Sequence, residues 1–183
     1  MHWTAGGHKA SAVDKKHYHF LIEGSGKVVP GDHNPEVNRS TSDGLYVAHT
    51  RRANTGAIGV TVCAMLGARE RPFSAGRYPI TDAQADALVG LVADLADTYN
   101  IPVTRTTVLT HAEVQPTLGI AQRGKWDIMW LPGMSEPDDP VKVGDELRFR
   151  IKSAMNPVAP PAVEVEAPQS LWQRFLSLFG VNQ

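Results

Sequence analysis

Three residues from separate segments of the chain have the side-chain types from which catalytic zinc sites are built. His2 lies in the segment HWTAGG, His111 lies in LTHAEV and Asp127 lies in GKWDI. Two imidazoles and one carboxylate can hold zinc while a fourth position keeps a water, whose pKa the metal lowers to about 7. A chain with seven histidines offers other triples, so the alternative is exposed or hydrogen-bonded histidines without a metal. The spacing alone leaves both interpretations open.

The composition excludes several classes of protein. Lys and Arg number 18 against 19 Asp and Glu, for a net charge of −1, which argues against nucleic-acid binding through bulk charge. Hydrophobic residues make up 42% of the chain, enough for one core. No segment approaches a membrane span, and the first residues lack the pattern of a signal peptide, so we expect cytoplasmic synthesis without one. The single cysteine, Cys63, is expected to be a small buried hydrophobe in a strand.

The elements that must position these side chains are those of an α/β domain. Strand patterns cover residues 18–22, 27–29, 57–64 and 103–110. A helix is predicted over residues 81–99, because Thr81 and Gln84 have the spacing of a capping box. Residues 112–140 are rich in Gly and Pro and are predicted to be mostly loop. Strands on both sides of a helix predict a central mixed β-sheet flanked by helices.

The chain divides into three predicted parts. Residues 1–153 form the domain, residues 154–169 form a Pro-rich linker, and residues 170–183 form an amphipathic tail helix. We expect the tail to contact a membrane, to bind a partner or to self-associate, or else to fold back onto a groove of its own domain. Its apolar side chains are Leu171, Trp172, Phe175, Leu176 and Phe179.

Six motifs occur in an order that resembles the type 2 N-acetylmuramoyl-L-alanine amidases. They are HWTAG at 2–6, YHFLI at 18–22, AHT with NTGAIGV at 48–60, PITDAQ at 79–84, THAEV at 110–114 and KWD at 125–127. The resemblance covers about residues 1–135. The family includes phage endolysins, cell-wall recycling amidases and animal peptidoglycan recognition proteins. It implies a single peptidoglycan-amidase-like domain that hydrolyses the amide bond between N-acetylmuramic acid and L-alanine with Zn²⁺.

The resemblance also assigns roles around the metal. His2, His111 and Asp127 match the three zinc ligands of the family. Lys125 matches a lysine that steadies the developing oxyanion in some members, and the alternative for it is an exposed loop cation. Glu113 is expected to be a partner that orients His111. The separation of 16 residues between His111 and Asp127 requires the intervening loop to fold back.

Further roles concern the substrate. Tyr18 matches a tyrosine with a catalytic or water-orienting role in phage members, where other members use Glu; the alternative is a half-buried strand aromatic. His49 and Asn54 match positions that line the groove for the sugar and the peptide stem. His19, one residue from Tyr18, is expected to be structural.

The leading hypothesis is therefore a zinc hydrolase that degrades peptidoglycan, from a phage or prophage endolysin. It would act in the periplasm or cell wall during lysis, or as a virion protein. The alternatives are a recognition module that binds peptidoglycan without cutting it, a recycling amidase, and an interaction protein whose domain serves as a platform for the tail. Retention of all three ligand candidates favours the enzyme.

Overall fold

The computed structural model describes residues 1–156. The predicted linker and the predicted tail helix, apart from the first residues of the linker, lie outside the described residues. Among residues 1–156, no helix has both the length and the apolar character needed to cross a lipid bilayer.

A mixed sheet forms the centre of the domain, as the sequence predicts, and among the described residues it has four strands. Its strands are β1 (His2–Trp3), β2 (Phe20–Ile22), β3 (Val28–Pro30) and β4 (Val60–Val62), in the spatial order β1-β4-β2-β3. Strand β4 pairs in parallel with both β1 and β2, and β3 pairs antiparallel with β2. Because β1 is at one edge of this order, the first ligand candidate, His2, lies on an edge strand, where the register places it beside Thr61.

Four α-helices lie within residues 1–156, and each begins at a side-chain cap. They are α1 (Ala12–His17), α2 (Asp82–Thr98), α3 (His111–Leu118) and α4 (Pro140–Met155); a 3-10 helix covers Pro35–Arg39. Ser11, Thr81 and Thr110 open capping boxes, and Asp139 caps α4. The predicted capping box of α2 is therefore present.

Gln84 of that capping box also fastens α2 to the sheet. Its side-chain amide donates hydrogen bonds to the carbonyl oxygens of Ile22 and Cys63, both at 2.9 Å. Gln84 and Cys63 are fully buried, as expected for Cys63, so these bonds are shielded from water.

The core lies between the sheet and helices α2 and α4. Ile22 and Val62 from the sheet and Leu147 and Ile151 from α4 belong to this core and are each 0% exposed. Full burial of such a side chain contributes about 1.5–3 kcal/mol. Helix α4 is therefore part of the same folded unit as the sheet.

Two sequence predictions about elements are wrong. Residues 103–110 form turns rather than a strand, because threonine side chains satisfy the backbone locally: Thr107 Oγ1 accepts from the Thr104 N–H at 3.1 Å and Thr104 Oγ1 accepts from the Thr106 N–H at 3.3 Å. The segment 112–140 is not mostly loop at its start, since α3 runs through it to Leu118 and ends at Gly119 with a φ of 71°.

Candidate metal centre

The three predicted ligand side chains converge on one point. His2 Nδ1 lies 3.0 Å from His111 Nδ1, His111 Nδ1 lies 3.2 Å from Asp127 Oδ2, and His2 Nδ1 lies 3.7 Å from Asp127 Oδ2. Tetrahedral zinc ligands at about 2.0–2.1 Å from the metal lie about 3.3 Å from one another. All three residues are buried. The spacing and the donor set therefore suit a small divalent metal such as zinc.

Two backbone hydrogen bonds and one contact between aromatic rings hold the three ligand segments together. The His111 N–H donates to the Met1 carbonyl oxygen at 2.9 Å, and the Ala112 N–H donates to the Asp127 carbonyl oxygen at 3.4 Å. The rings of Trp3 and Trp126, which are the chain neighbours of two ligands, meet edge to face with centroids 4.5 Å apart. The ligands are thus positioned by contacts that do not involve a metal.

The residue after Asp127 has an unusual backbone. Ile128 is fully buried and has a φ of 64°, in the left-handed region that β-branched residues rarely adopt. Such a conformation costs about 1–3 kcal/mol and persists where the surrounding packing enforces it. The turn at Ile128 therefore fixes the direction in which the Asp127 side chain points away from the backbone.

The electrostatics give the protonation states that a metal requires. Burial alone would raise the pKa of Asp127, but its close contacts with the His111 and His2 rings outweigh burial and hold that pKa well below the usual value. Burial, followed by the nearby N-terminal amine, lowers the pKa of His2 well below 6.5. A carboxylate and a neutral imidazole are the forms that bind zinc.

The side chain that contacts the remote nitrogen of His111 is Gln122, not Glu113. Gln122 Oε1 lies 3.0 Å from His111 Nε2. Glu113 Oε2 accepts from the Thr110 N–H at 2.9 Å, and its other oxygen pairs with Arg148 at 2.8 Å. Glu113 therefore orients the start of α3 rather than the His111 ring. Gln122 lies in the loop that folds back to Asp127, and its only sequence signal is its place between the two ligands.

The Nε2 atom of His2, the ring nitrogen that does not face the other two ligand candidates, faces the loop that carries His49 and Thr50. His2 Nε2 lies 3.3 Å from Thr50 Oγ1, which lies 2.8 Å from His49 Nδ1. Asn54 Oδ1 accepts from the backbone N–H groups of His49 and Thr50 at 3.1 and 2.8 Å. Asn54 thus shapes the loop that carries His49, and its direct contact with substrate stays a prediction.

Tyr18 lies beside this centre, and Lys125 is close to one ligand candidate in the chain. The Tyr18 ring is 5.3 Å from the His2 ring, and burial together with Asp127 raises the pKa of its phenol far above 10. Lys125 is exposed, two residues before Asp127, and within residues 1–156 no carboxylate forms a salt bridge with it. The structure therefore places a neutral phenol beside the ligands and a free cation close to them in the chain.

A cavity of about 400 Å³ opens beside the ligands. His2, His49 and His111 contribute to its lining, and the remainder is largely apolar, with threonine hydroxyls. No Asp, Glu, Lys or Arg lines it among the described residues. Apolar lining members include Ile58, Val60, Val92, Leu95, Ile101 and Leu118.

The fold and this site define an α/β domain with a buried His-His-Asp group at the edge of a pocket, an arrangement suited to metal-assisted hydrolysis. A comparison with protein families matches residues 1–133 to the family described as N-acetylmuramoyl-L-alanine amidase. The chain belongs to this family, which confirms the predicted resemblance and makes it a peptidoglycan amidase that acts on the cell wall. Comparisons with curated proteins and with solved structures gave no match.

Proposed function

We propose that the protein is a zinc-dependent enzyme that hydrolyses the amide bond between N-acetylmuramic acid and L-alanine, with His2, His111 and Asp127 as the zinc ligands. The observation that carries this proposal is the convergence of three buried ligand atoms at separations of 3.0, 3.2 and 3.7 Å. Three protein ligands leave a fourth tetrahedral position for water, as in catalytic rather than structural sites.

When bound, zinc supplies Lewis acidity and a water that ionises near neutral pH. The chain's own groups supply the remaining functions. The raised pKa of Tyr18 keeps its phenol protonated at neutral pH, so the O–H can donate a hydrogen bond that orients the attacking water. Lys125 offers a positive charge to the carbonyl oxygen as negative charge develops there.

The cavity suits the uncharged part of the substrate. The N-acetyl group, the lactyl methyl and the alanine methyl need apolar walls and a few hydrogen-bond partners, and the lining offers both. Burial lowers the pKa of His49 to about 3, so this side chain is neutral at pH 7 and acts through hydrogen bonds rather than charge. We propose that His49 contacts the substrate and that Asn54 holds the His49 loop in place.

We propose that the enzyme degrades intact wall, as a phage or prophage endolysin does. The support for this setting is Tyr18, which matches phage members of the family where others carry Glu. Rates on insoluble sacculi and on soluble muropeptides distinguish the settings. A lysis enzyme cleaves sacculi efficiently, whereas activity on soluble fragments alone would indicate a recycling amidase.

The central test uses the full chain purified without a metal-affinity tag. We expect about one zinc per chain by elemental analysis, release of new L-alanine amino groups from purified peptidoglycan, loss of that release on chelation, and recovery with added zinc. His111→Ala should lose both zinc and activity, whereas His33→Ala, which changes an exposed histidine, should lose neither. Binding to peptidoglycan without any release would indicate the recognition module instead.

A further inference from the structure

The side chain of Gln122 is held in one orientation. It is 4% exposed, and its Nε2 donates to the carbonyl oxygens of Arg51 at 3.0 Å and Ile120 at 3.2 Å. Carbonyl oxygens only accept hydrogen bonds, so the amide nitrogen must face them. The Gln122 oxygen is then left facing His111 Nε2 at 3.0 Å.

This polarity determines which nitrogen of His111 carries a proton. An amide oxygen only accepts, so His111 Nε2 must be the donor. The lone pair available to a metal is then on Nδ1, the atom that lies 3.0 Å from His2 Nδ1 and 3.2 Å from Asp127 Oδ2. In the absence of Gln122, Asp127 would favour the opposite tautomer by accepting a hydrogen bond from an Nδ1–H group.

Thr50 does not impose the same constraint on His2. Its hydroxyl lies 3.3 Å from His2 Nε2 and 2.8 Å from His49 Nδ1, and a hydroxyl can donate or accept at either contact. The fixed polarity in this centre therefore comes from Gln122. The hydrogen bond from Gln122 to Arg51 also ties the loop between His111 and Asp127 to the loop that carries Thr50 and His49.

We propose that Gln122 is a positioning residue that holds His111 in its metal-binding tautomer and fixes the His49 loop relative to the metal centre. This inference rests on the proposed zinc site. Loss of a hydrogen-bond partner to a ligand histidine typically weakens metal affinity 10- to 100-fold.

The test compares two variants of the full chain. Gln122→Met keeps the length of the side chain and removes its hydrogen bonds. Gln115→Met is the control for loop anchoring alone, because among residues 1–156 Gln115 Oε1 accepts from the Gln122 backbone N–H alone, at 3.0 Å. Zinc affinity is measured by competition with a chromophoric chelator, and the protonation of the His111 ring is measured by ¹H–¹⁵N NMR.

We expect Gln122→Met to bind zinc about 10- to 100-fold more weakly, with His111 partly protonated on Nδ1 in the metal-free protein. Gln115→Met should stay close to wild type in both measurements. Equal zinc affinity of Gln122→Met and wild type, or an equal loss in Gln115→Met, would overturn the inference.

The outcomes separate this inference from the proposed function. A wild-type chain that binds zinc but releases no L-alanine amino groups would end the proposed function and leave the Gln122 test intact. If the wild type binds no zinc, the spectrum of the metal-free protein decides: a His111 ring with Nε2 unprotonated overturns the role of Gln122, and a protonated Nε2 that is lost in Gln122→Met supports it.

Discussion

The ligand residues depend on their chain neighbours for position. Three lone-pair-bearing atoms within 3.7 Å of one another repel unless a proton or a cation lies between them. The Trp3–Trp126 contact and the buried Ile128 hold His2 and Asp127 in place against this repulsion. Substitutions at these neighbours should therefore affect metal binding even though their side chains are not ligands.

Lys125 provides the sharpest test of catalytic electrostatics. Lys125→Ala should lower kcat by about 10²–10³-fold, the range for removing one group that stabilises an oxyanion, while zinc content stays unchanged. The measurement is turnover on purified peptidoglycan together with elemental analysis. Arg123→Ala, another exposed cation of the same loop, is the control. Equal losses in both variants would indicate general attraction of the substrate, and no loss in Lys125→Ala would make it a surface cation.

His19 predicts a pH dependence of stability. Its Nδ1 accepts from the Gly59 N–H at 2.9 Å, and burial lowers its pKa to about 4, against about 6.5 in the unfolded chain. Between these two values the unfolded chain binds the proton and the folded one does not. This contribution to stability is therefore complete above pH 6.5 and is lost as the pH falls towards 4.

The corresponding experiment is thermal unfolding of variants between pH 7.5 and 4. His19→Gln should show a shallower decline of Tm with falling pH than wild type, because Gln can still accept from Gly59 and does not titrate. His17→Gln, which removes an exposed imidazole, is the control. A His19→Gln profile parallel to that of wild type would refute this role.

At the scale of elements, two helical glycines should respond to alanine in opposite directions. Gly144 in α4 faces the Glu113 carboxylate, which a Cβ would overlap, whereas a Cβ at Gly90 in α2 meets nothing within 4 Å. Glu113 cannot move away because Arg148 and Thr110 hold it. Gly144→Ala should therefore destabilise the fold by about 1–3 kcal/mol, as overpacking does.

Gly90→Ala should instead stabilise the fold by about 0.5–1 kcal/mol, because alanine lowers the entropy cost of helix formation. Urea unfolding of both variants gives the comparison. If Gly144→Ala were as stable as Gly90→Ala, α4 would not pack against Glu113 in the way described.

The elements that sequence reasoning found are those whose signals are local. The Thr81–Gln84 capping box and the alternating β4 region are recognisable without any knowledge of the fold. Helix α3 has the same kind of signal in Thr110 and Glu113, but Gly119 and the glycines and prolines that follow it indicate a loop. The predicted strand at 103–110 failed because a β-branched pattern does not reveal that threonine hydroxyls are bonded within a turn.

The residues of the site also divide into those that the sequence could predict and those that it could not. The three ligand candidates could be predicted because the order of whole motifs identified them. Gln122 could not be, because its role depends on Arg51, which is 71 residues away in the chain. Such a contact exists only after two loops have folded against one another.

At the scale of the whole molecule, the folded unit extends beyond the part that matches the family. The match ends at residue 133, and α4 begins at Pro140. Arg148 of α4 nevertheless donates to the Val108 carbonyl oxygen at 2.8 Å and pairs with the fully buried Glu113. Removing one partner of a buried ion pair typically costs about 3–5 kcal/mol. A truncation at residue 133 would therefore disrupt the start of α3, where His111 lies.

The metal should also link distant parts of the chain energetically. His2, His111 and Asp127 come from β1, α3 and the following loop, so the complete ligand set exists only in the folded state. A ligand that binds only the folded state stabilises it by about 2.7 kcal/mol when its free concentration is 100 times Kd. For a domain of this size that corresponds to a rise in Tm of about 5–10 °C.

The measurement is calorimetry of the metal-free chain with increasing zinc. His111→Ala should show little of the rise, since one ligand is gone, and magnesium should not replace zinc for wild type because it prefers six oxygen ligands. An equal zinc-dependent rise in His111→Ala would place the bound metal elsewhere. A Tm that does not respond to zinc in the wild type, at concentrations that saturate the hydrolytic activity, would mean that the metal joins the substrate complex rather than the folded chain.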